Sequence, residues 1–339
     1  MQAPDFWYRK DPSLSATLLA PLAALYDCAG RLNRWMTTPM PAPMPVICVG
    51  NLVAGGAGKT PTAIALARLL TAEGHTVHML TRGYGGQLSG PVAVDPAHHS
   101  ARDVGDEALL LARVAPTWVG ADRRVIAHRA GEAGATVAIM DDGFQNPSLR
   151  KTVSLVVVDG EVGLGNGRVM PAGPLREEAT RALARADAIV VMGEDRARVG
   201  ERLRASTPQP LPVFGASLTP TAGARELAGA RVFAFAGIAR PEKFFASLRA
   251  AGCDIAGMKA FPDHYSFRKS DLAALRTAAR TIGAKLVTTE KDHVRLTRAV
   301  LGDEAADIAI FAVEAVFAEP APLMAFISSR LVKAAHGGV

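Results

Sequence analysis

Short apolar runs alternate with stretches of helical periodicity along most of this chain. The run VICVG at 46–50 is followed by a glycine-rich turn and then by the helical stretch PTAIALARLLTAEG at 61–74. Strands that are apolar on both faces are typical of parallel sheets covered by helices on both sides. The pattern therefore predicts an α/β fold with a mostly parallel sheet. Further strand-like runs are HTVHMLT at 75–81, ATVAIMDD at 135–142, SLVVVDG at 154–160, AIVVM at 188–192 and LPVFGASL at 211–218.

The alternation is interrupted near residues 219–230, where TPTAGARELAGA has the composition of a linker. A second and shorter series of strands and helices follows, and the last helical stretch of that series is LMAFISSRLVKAA at 323–335. From this break we predict a division of the chain into three parts. These are an N-terminal membrane-associated helix at 1–35, a larger α/β domain at 36–220 and a smaller α/β domain at 228–339.

The N-terminal region carries fifteen uncharged residues, PSLSATLLAPLAALY at 12–26, between basic flanks. A helix that spans a bilayer needs about 20 apolar residues, so this segment is short for a span. Leu25, Tyr26 and Asp27 precede Cys28, where a lipoprotein signal needs small residues. Two interpretations stay open: the helix lies in a membrane interface, or it packs on the protein's own core. The leucines at helical spacing are Leu14, Leu18, Leu22, Leu25 and Leu32.

Charge and cysteine content narrow the classes of partner. The 339 residues include 38 Lys and Arg against 32 Asp and Glu, and the net charge of +6 favours anionic partners such as nucleotides, phosphorylated substrates or acidic membranes. No dense basic block interleaved with aromatic residues occurs, so a nucleic-acid partner is not expected. Cys28, Cys48 and Cys253 are widely spaced and odd in number, which argues against disulfides and zinc sites. No obligate protein partner is inferred.

The stretch VGNLVAGGAGKTPT at 49–62 has the order of a phosphate-binding loop: an apolar strand, glycines, Lys-Thr and a helix start. Val53 stands where the usual G-x-x-x-x-G-K-[ST] pattern has its first glycine. Glycines can turn successive amides toward phosphate oxygens at the start of a helix, where Pro61 fits the first turn. We expect Lys59 to neutralise the β- and γ-phosphates and Thr60 to ligate Mg²⁺. The predicted ATP-binding residues are Val53, Ala54, Gly55, Gly56, Ala57, Gly58, Lys59 and Thr60.

A phosphate-binding loop needs an acid for its metal ion, and Asp141 and Asp142 follow the apolar run at 137–140. In an open α/β sheet this end of the strands is where ligands bind. One aspartate would serve Mg²⁺ directly or through water, and the residues do not show which. Guanine recognition would require an N-K-x-D pattern, whose nearest match is RKSD at 268–271. ATP is therefore predicted rather than GTP.

Seven segments occur in the order that marks one family. With them the sequence resembles the tetraacyldisaccharide 4'-kinases of Gram-negative lipid A biosynthesis, over nearly the whole chain. That family shares the glycine-poor start of the loop, although this chain has Ala57 where most members have serine. The segments are GNLVAGGAGKTP at 50–61, TRGYGG at 81–86, VGDEALLLA at 104–112, DDGFQN at 141–146, GLGNGRVMPAGPLRE at 163–177, FPDHYSF at 261–267 and VTTEKD at 287–292.

The resemblance implies transfer of the ATP γ-phosphate to the 4'-hydroxyl of an acylated disaccharide 1-phosphate. It also implies a Mg²⁺-dependent reaction at the cytoplasmic face of the inner membrane, catalysed by a P-loop domain joined to a smaller α/β domain. In this resemblance Asp106 matches the catalytic aspartate that acts as base, and His264 matches the histidine that pairs with it. The two residues lie in different predicted domains, so their pairing would require the domains to close.

Further residues are assigned from the resemblance. Arg176 is expected to contact the γ-phosphate and Glu177 the metal shell, while Arg82 would neutralise nearby charge. Arg123 and Arg124 would bind the 1-phosphate of the substrate, because guanidinium groups pair well with phosphate oxygens. The TTEKD segment has no assigned chemistry, apart from a structural ion pair for Lys291.

Two alternative functions remain at this stage. The first is a P-loop metallochaperone or switch NTPase, against which the missing N-K-x-D pattern and the missing Cys/His ligands count. The second is a soluble small-molecule kinase with the same sheet, for which the leucine-rich N-terminus would be superfluous. We predict a membrane-associated lipid kinase that depends on ATP and Mg²⁺.

Overall fold

The computed structural model describes residues 4–9, 13–204, 210–296 and 307–336. Within them the chain forms two sheets. The strands are β1 Val46–Gly50, β2 Val77–Thr81, β3 Val92–Ala93, β4 Thr117–Val119, β5 Val137–Asp141, β6 Val153–Asp159, β7 Ala188–Met192, β8 Val213–Pro220, β9 Arg231–Ala236, β10 Asp254–Ala260, β11 Lys285–Thr289, β12 Ala309–Phe311 and β13 Val313–Phe317. The helices are α1 Leu14–Leu18, α2 Ala20–Met36, α3 Lys59–Ala72, α4 Ala101–Val104, α5 Asp106–Ala112, α6 Arg123–Glu132, α7 Ala179–Leu183, α8 Val199–Arg204, α9 Ala222–Arg225, α10 Pro241–Ala250, α11 Lys269–Thr281, α12 Glu290–His293 and α13 Pro320–His336.

The first sheet has nine strands in the order β13-β8-β7-β6-β1-β5-β2-β4-β3. The pairs from β8 to β4 are parallel, and only the two edge strands, β3 and β13, pair antiparallel. Strand β1 lies between β5 and β6, with Val49 opposite Asp141 and Gly50 opposite Val156. The predicted mostly parallel sheet is confirmed. This order places the end of β1 beside the end of β5, where the conserved geometry of such sheets puts ligands.

Both faces of the first sheet are buried, as its apolar strands predict. Because side chains alternate along a strand, Ile47 and Val49 face one layer and Cys48 the other. The first layer includes Leu66 and Leu70 of α3 together with Leu323 and Ile327 of α13. The second layer includes Ile126 of α6 and Leu183 of α7. Helix α3, which follows the glycine-rich loop, is thereby fixed against the centre of the sheet.

The second sheet has four parallel strands in the order β10-β9-β11-β12 and is packed by α10 and α11. The chain then returns to the first sheet, because β13 pairs with β8 and α13 packs on the first core. The helical stretch at 323–335, which is predicted to belong to the second series within a C-terminal domain at 228–339, packs on the first sheet instead. The chain connects the two sheets twice, after β8 and before β13. The two connecting segments are joined by a hydrogen bond, in which the Thr221 amide donates to the Ala312 carbonyl oxygen at 3.1 Å. The domain boundaries themselves stay a prediction.

The N-terminal helices show which way the leucine stripe faces. Leu14, Leu18 and Leu25 are 77 %, 71 % and 68 % exposed, whereas Ala16 and Ala23 are buried. The leucine stripe therefore faces away from the protein's own core. Of the two interpretations, the one in which the helix packs its leucines on that core is wrong. In the part of the chain that the structure describes, no helix combines the length and the apolar content needed to cross a bilayer.

Candidate active site

The glycine-rich loop connects β1 to α3, and its first residues are held by backbone contacts with residues 174 and 175. Ala54 donates its amide to the Pro174 carbonyl oxygen at 2.7 Å, and Val53 pairs with Leu175. The amide of Ala54, one of the predicted ATP-binding residues, is thus occupied by Pro174 in this structure. Within the described ranges, no protein acceptor takes the amides of Gly56, Ala57 and Gly58.

Two glycines shape this loop. Gly50 ends β1, and a Cβ there would lie 2.4 Å from the Phe144 Cβ, so a larger residue does not fit. Gly58 has a φ of +85° immediately before α3, a conformation that favours glycine. The available amides therefore lead directly into a helix N-terminus, an arrangement that suits an anion.

Asp142 gathers two cations beside the loop. Lys59 Nζ lies 3.5 Å from Asp142 Oδ1, and Arg176 donates to both oxygens of that carboxylate, at 2.8 and 3.1 Å. Burial lowers the pKa of Lys59, and the charge of Asp142 opposes that shift. The predicted residues Lys59 and Arg176 are thus brought together, where they can neutralise phosphate charge.

Asp141 is in a different situation from its neighbour. Its Oδ2 accepts from the Thr60 hydroxyl at 2.9 Å, and its Oδ1 is buried with no hydrogen-bond partner among the described residues. Burial, together with the charges of Glu107 and Asp142, raises the pKa of Asp141 to about 7. A buried, unpartnered carboxylate oxygen beside a hydroxyl fits the oxygen ligands that Mg²⁺ prefers.

The acidic side chains that the structure describes do not form a complete metal site by themselves. Across the ranges that the structure describes, no group of three or more His, Cys, Asp or Glu side chains could hold a metal ion. This agrees with the usual mode of Mg²⁺, which binds through one or two carboxylates together with waters and substrate phosphates. Of the two aspartates left open by the sequence, Asp141 is the one with a free oxygen.

Exchanging either aspartate for asparagine is expected to change stability in opposite directions. A raised pKa means that folded Asp141 keeps a proton that the unfolded chain has lost, so stability falls as pH rises from 3.8 to about 7. Asp141→Asn removes this penalty and should raise the Tm in EDTA by a few degrees at about pH 8, and by less at about pH 5.

The matched variant is Asp142→Asn. Burial alone would raise the pKa of Asp142, but the charges of Lys59 and Arg176 outweigh burial and lower that pKa. The ionised carboxylate therefore stabilises the fold at pH values above the pKa of an unfolded aspartate, and this stability is lost as the pH falls. Asp142→Asn should therefore lower the Tm at about pH 8. Scanning fluorimetry at both pH values checks the pair, and a lower Tm for Asp141→Asn would contradict the assignment.

Glu177, which is predicted for the metal shell, has guanidinium partners in this structure. It is buried and accepts two hydrogen bonds from Arg185, at 2.8 and 2.7 Å, while Arg34 of α2 lies 3.3 Å away. Gln145 links Glu177 to Arg176, through contacts of 3.3 Å on each side. No hydrogen bond or ion pair joins Glu177 to the aspartates or Thr60 within the described chain, because its carboxylate is occupied by guanidinium groups.

Asp106 and His264 meet between the two sheets. Asp106 is the first residue of α5 and is 3 % exposed, whereas His264 lies in the loop after β10 with a φ of +56°. His264 Nδ1 lies 3.2 Å from Asp106 Oδ2. The ring of Tyr84 packs edge-on against the His264 ring at 5.3 Å. The structure thus joins the two residues across the predicted domains, while their chemical roles stay a prediction.

Arg295 also contacts Asp106, and this contact is not predicted from the sequence. Its Nε donates to Asp106 Oδ2 at 2.7 Å, and its Nη2 donates to the same oxygen. Burial alone would raise the pKa of Asp106, but His264, Lys291 and Arg295 together hold that pKa well below its usual range. Arg295 lies three residues beyond TTEKD and 189 residues from its partner, so no local pattern could have identified it.

The TTEKD segment supplies further contacts at this junction. Thr289 caps α12 by accepting from the Asp292 amide at 3.0 Å. Lys291 forms an ion pair with Glu107 at 3.1 Å, and Glu290 pairs with Arg113 at 3.0 Å. The ion pair predicted for Lys291 is therefore present. It joins α12, which follows β11 of the second sheet, to α5, which precedes β4 of the first sheet.

The arginines predicted to bind substrate phosphate separate into two groups. Arg123 is 4 % exposed, and its Nε has no partner among the described residues. Burial and the neighbouring charge of Arg82 lower the pKa of Arg123 to about 10. Arg124 instead points to the surface and donates to both oxygens of Asp122, at 2.9 and 2.6 Å. Arg123 lies with Arg82 near Asp141 and Asp142. The Arg124 guanidinium is instead occupied by Asp122, the N-cap residue of α6.

Comparison with known proteins bears on this geometry. The family model described as LpxK, tetraacyldisaccharide-1-P 4'-kinase, matches residues 15–332. A tetraacyldisaccharide 4'-kinase of Parvibaculum lavamentivorans is 51% identical over 302 residues, which are 88% of each chain. The corresponding protein of Paramagnetospirillum magneticum is 55% identical over 296 residues, covering 87% of this chain and 90% of the relative.

A solved structure shares the fold. The structure described as the "apo" form of LpxK from Aquifex aeolicus in complex with ATP superposes with a TM-score of 0.74 at 24% sequence identity. The match covers 93% of this chain and 99% of that one, so the likeness includes both sheets.

Proposed function

The chain belongs to the tetraacyldisaccharide-1-phosphate 4'-kinase family, and we propose that its loop and its Asp106–His264 pair carry out the family's reaction. The activity is ATP-dependent transfer of phosphate to the 4' position of tetraacyldisaccharide 1-phosphate, which forms lipid IVA in lipid A biosynthesis. The substrate is therefore a lipid disaccharide. The switch NTPase and the soluble small-molecule kinase are not supported, because the family match spans nearly the whole chain.

On the donor side, we assign the phosphates to the amides of Gly56, Ala57 and Gly58 and to the Lys59 and Arg176 cations. The convergence of both cations on Asp142 supports this assignment. Thr60 and Asp141 would hold Mg²⁺, which supplies charge neutralisation of the β- and γ-phosphates when bound. Glu177 would enter the metal shell only after release from its guanidinium partners.

On the acceptor side, Asp106 is the group that takes the proton of the 4'-hydroxyl, and His264 orients it. A carboxylate is a suitable acceptor for this proton, because an aspartate takes the proton of the substrate hydroxyl in protein kinases. The single observation that carries the proposal is the Asp106–His264 contact of 3.2 Å. It unites the elements of both sheets beside the nucleotide loop. Arg82 and Arg123 are assigned to anionic groups of the substrates.

The function is tested by incubating purified protein in detergent with γ-labelled ATP, Mg²⁺ and the acylated disaccharide 1-phosphate. We expect label in the lipid and none without Mg²⁺. Binding of ATP with release of inorganic phosphate and no labelled lipid would overturn the kinase and favour a switch NTPase.

We also propose that α1 and α2 lie in the interface of the inner membrane at its cytoplasmic face. The exposed side carries the leucines together with Trp35, which is 84 % exposed. The opposite side is tied to the first sheet, since Asp27 forms an ion pair with Arg181 and Arg34 contacts Glu177. An apolar stripe on a helix with basic flanks is suited to the boundary between headgroups and acyl chains.

The double variant Leu18→Glu/Leu25→Glu should detach the protein from membranes. Burial of one leucine contributes roughly 1.5–3 kcal/mol, so losing two should weaken binding by at least about 100-fold. Cosedimentation with phosphatidylglycerol-containing vesicles measures the effect. The matched control is Leu218→Glu on β8, a leucine that is 43 % exposed and lies outside the N-terminal helices. Equal loss in the control, or retained binding in the double variant, would contradict the proposal.

A further inference from the structure

Arg295 is held firmly by its own side of the molecule. Its Nη1 donates to the Gly237 carbonyl oxygen at 2.6 Å and to Asp292 Oδ1 at 2.9 Å. Asp292 is itself fixed, since it accepts from the Gly237 amide at 3.0 Å and from the Thr289 hydroxyl at 2.7 Å. The guanidinium is therefore positioned by the elements around the second sheet, independently of α5.

The remaining donors of Arg295 are directed to Asp106. Nε and Nη2 both donate to Asp106 Oδ2, and Nη2 lies 3.3 Å from His264 Nδ1. The side chains of the ion pair are only 7 % and 3 % exposed. A buried charge depends strongly on its partner, because neither group can be solvated by water if the other is removed.

Two more ion pairs cross the same junction and differ in exposure. Lys291 and Glu107 have side chains that are 25 % and 28 % exposed, and Arg113 and Glu290 are 42 % and 34 % exposed. The Arg113–Glu290 pair is the more exposed of the two, and water and salt screen such a pair. Within the described residues the side chains of neither pair form a hydrogen bond or ion pair with Asp106 itself, so the buried Arg295 contact is the one that can set the geometry of Asp106.

The two oxygens of Asp106 have different surroundings. Oδ2 is occupied by Arg295 and His264, whereas Oδ1 accepts from the Glu107 amide at 2.8 Å. A carboxylate oxygen can accept at least two hydrogen bonds, so Oδ1, which has a single donor, retains a site for a hydroxyl group.

We propose that Arg295 is a positioning residue for phosphoryl transfer, which fixes Asp106 Oδ2 so that Oδ1 faces the acceptor hydroxyl. This inference rests on the proposed roles of Asp106 and His264. In the step, the acceptor oxygen bonds to the γ-phosphorus, the bond from that phosphorus to the bridging oxygen of ADP breaks, and the hydroxyl proton passes to Asp106. Arg295 acts through Asp106.

The pH dependence of the reaction reports on this contact. His264, Lys291 and Arg295 face Asp106, with Glu107 beside it, and Asp263 lies 3.9 Å from the other nitrogen of His264. Loss of the Arg295 charge leaves a buried carboxylate with less compensation, so its pKa rises. The acid limb of kcat/KM should then move up by about 1–3 pH units.

The test compares Arg295→Met with Arg295→Lys in the full chain, assayed in detergent with ATP, Mg²⁺ and lipid between about pH 3 and pH 9, so that an acid limb raised from its low wild-type position falls within the range. Arg295→Met should lower kcat by about 100-fold, shift the acid limb upward and leave the KM for ATP within about twofold. Arg295→Lys retains the charge and should restore the acid limb together with part of kcat. The control Arg113→Met removes an exposed pair of the same junction and should keep both kcat and the pH profile.

Three outcomes overturn the inference: an unshifted acid limb in Arg295→Met, an equal loss in Arg113→Met, or wild-type kcat in Arg295→Lys. Thermal melting and ATP binding establish whether each variant folds. Should Arg295→Met not fold, Arg295→Lys decides, because it is expected to show a kcat about tenfold lower with an unchanged acid limb. A wild-type protein that transfers no phosphate to lipid would instead overturn the proposed function.

Discussion

The Asp106→Asn protein is expected to lose about a thousandfold or more in kcat while keeping the ATP affinity of the wild type. Asparagine preserves the shape of the side chain and can still accept from the Glu107 amide, but it cannot take up the hydroxyl proton. Positioned bases contribute typically 10²–10⁴-fold to the rate. Asp106 forms no hydrogen bond or ion pair with the loop residues 53–60 in the described structure, so nucleotide binding should be unaffected. Initial rates and titration calorimetry measure the two quantities.

Glu107→Gln is the matched control for this substitution. Glu107 follows Asp106 on α5 and is paired with Lys291 at 3.1 Å, in a more exposed setting. We expect its kcat to fall by less than about tenfold, because Glu107 contacts Asp106 through its backbone amide, which the substitution keeps. Melting curves check that Asp106→Asn still folds, since Arg295 loses its buried counter-charge. Undiminished turnover in Asp106→Asn would remove this residue as the proton acceptor.

The second large effect is expected for Lys59→Met, which should lower kcat/KM for ATP by about 10²–10³-fold. Lys59 is the first residue of α3 and brings its charge to the exit of the glycine-rich loop. Its removal leaves Asp142 with Arg176 alone and takes one cation from the γ-phosphate. Steady-state kinetics with varied ATP provide the measurement.

An exposed lysine on a helix of the same sheet provides the control. Lys333→Met on α13 removes an equal charge far along the chain and should leave kcat/KM for ATP unchanged. The KM for lipid should stay close to wild type in both proteins. If Lys59→Met bound ATP and turned over normally, the loop would not be the phosphate site.

The sequence allowed the donor side of the site to be predicted because its parts are contiguous. The strand at 46–50, the glycines and Lys59-Thr60 act through local backbone geometry, which leaves a clear pattern. The difference between Asp141 and Asp142 could not be predicted in this way. It depends on burial and on a φ of +51° at Asp142, which turns that carboxylate to Lys59 and Arg176.

Other features depend on which distant segments meet. Arg295 has no signature of its own, because its role comes from Asp106, a partner on α5 that is 189 residues away in the chain. Glu177 was assigned to a metal from the family resemblance, whereas the structure shows it occupied by Arg185 and Arg34. The apolar pattern of α13 would be the same on either sheet, so its return to the first core could not be predicted from periodicity.

The double passage of the chain between the sheets limits how the second sheet can move. A single connecting strand would permit free rotation about its own bonds. Here two segments run side by side and are tied by the hydrogen bond from Thr221 to Ala312. Any displacement of the second sheet relative to the first would therefore have to bend both segments together, and it would carry His264 and Arg295 away from or toward the N-terminus of α5 as one group.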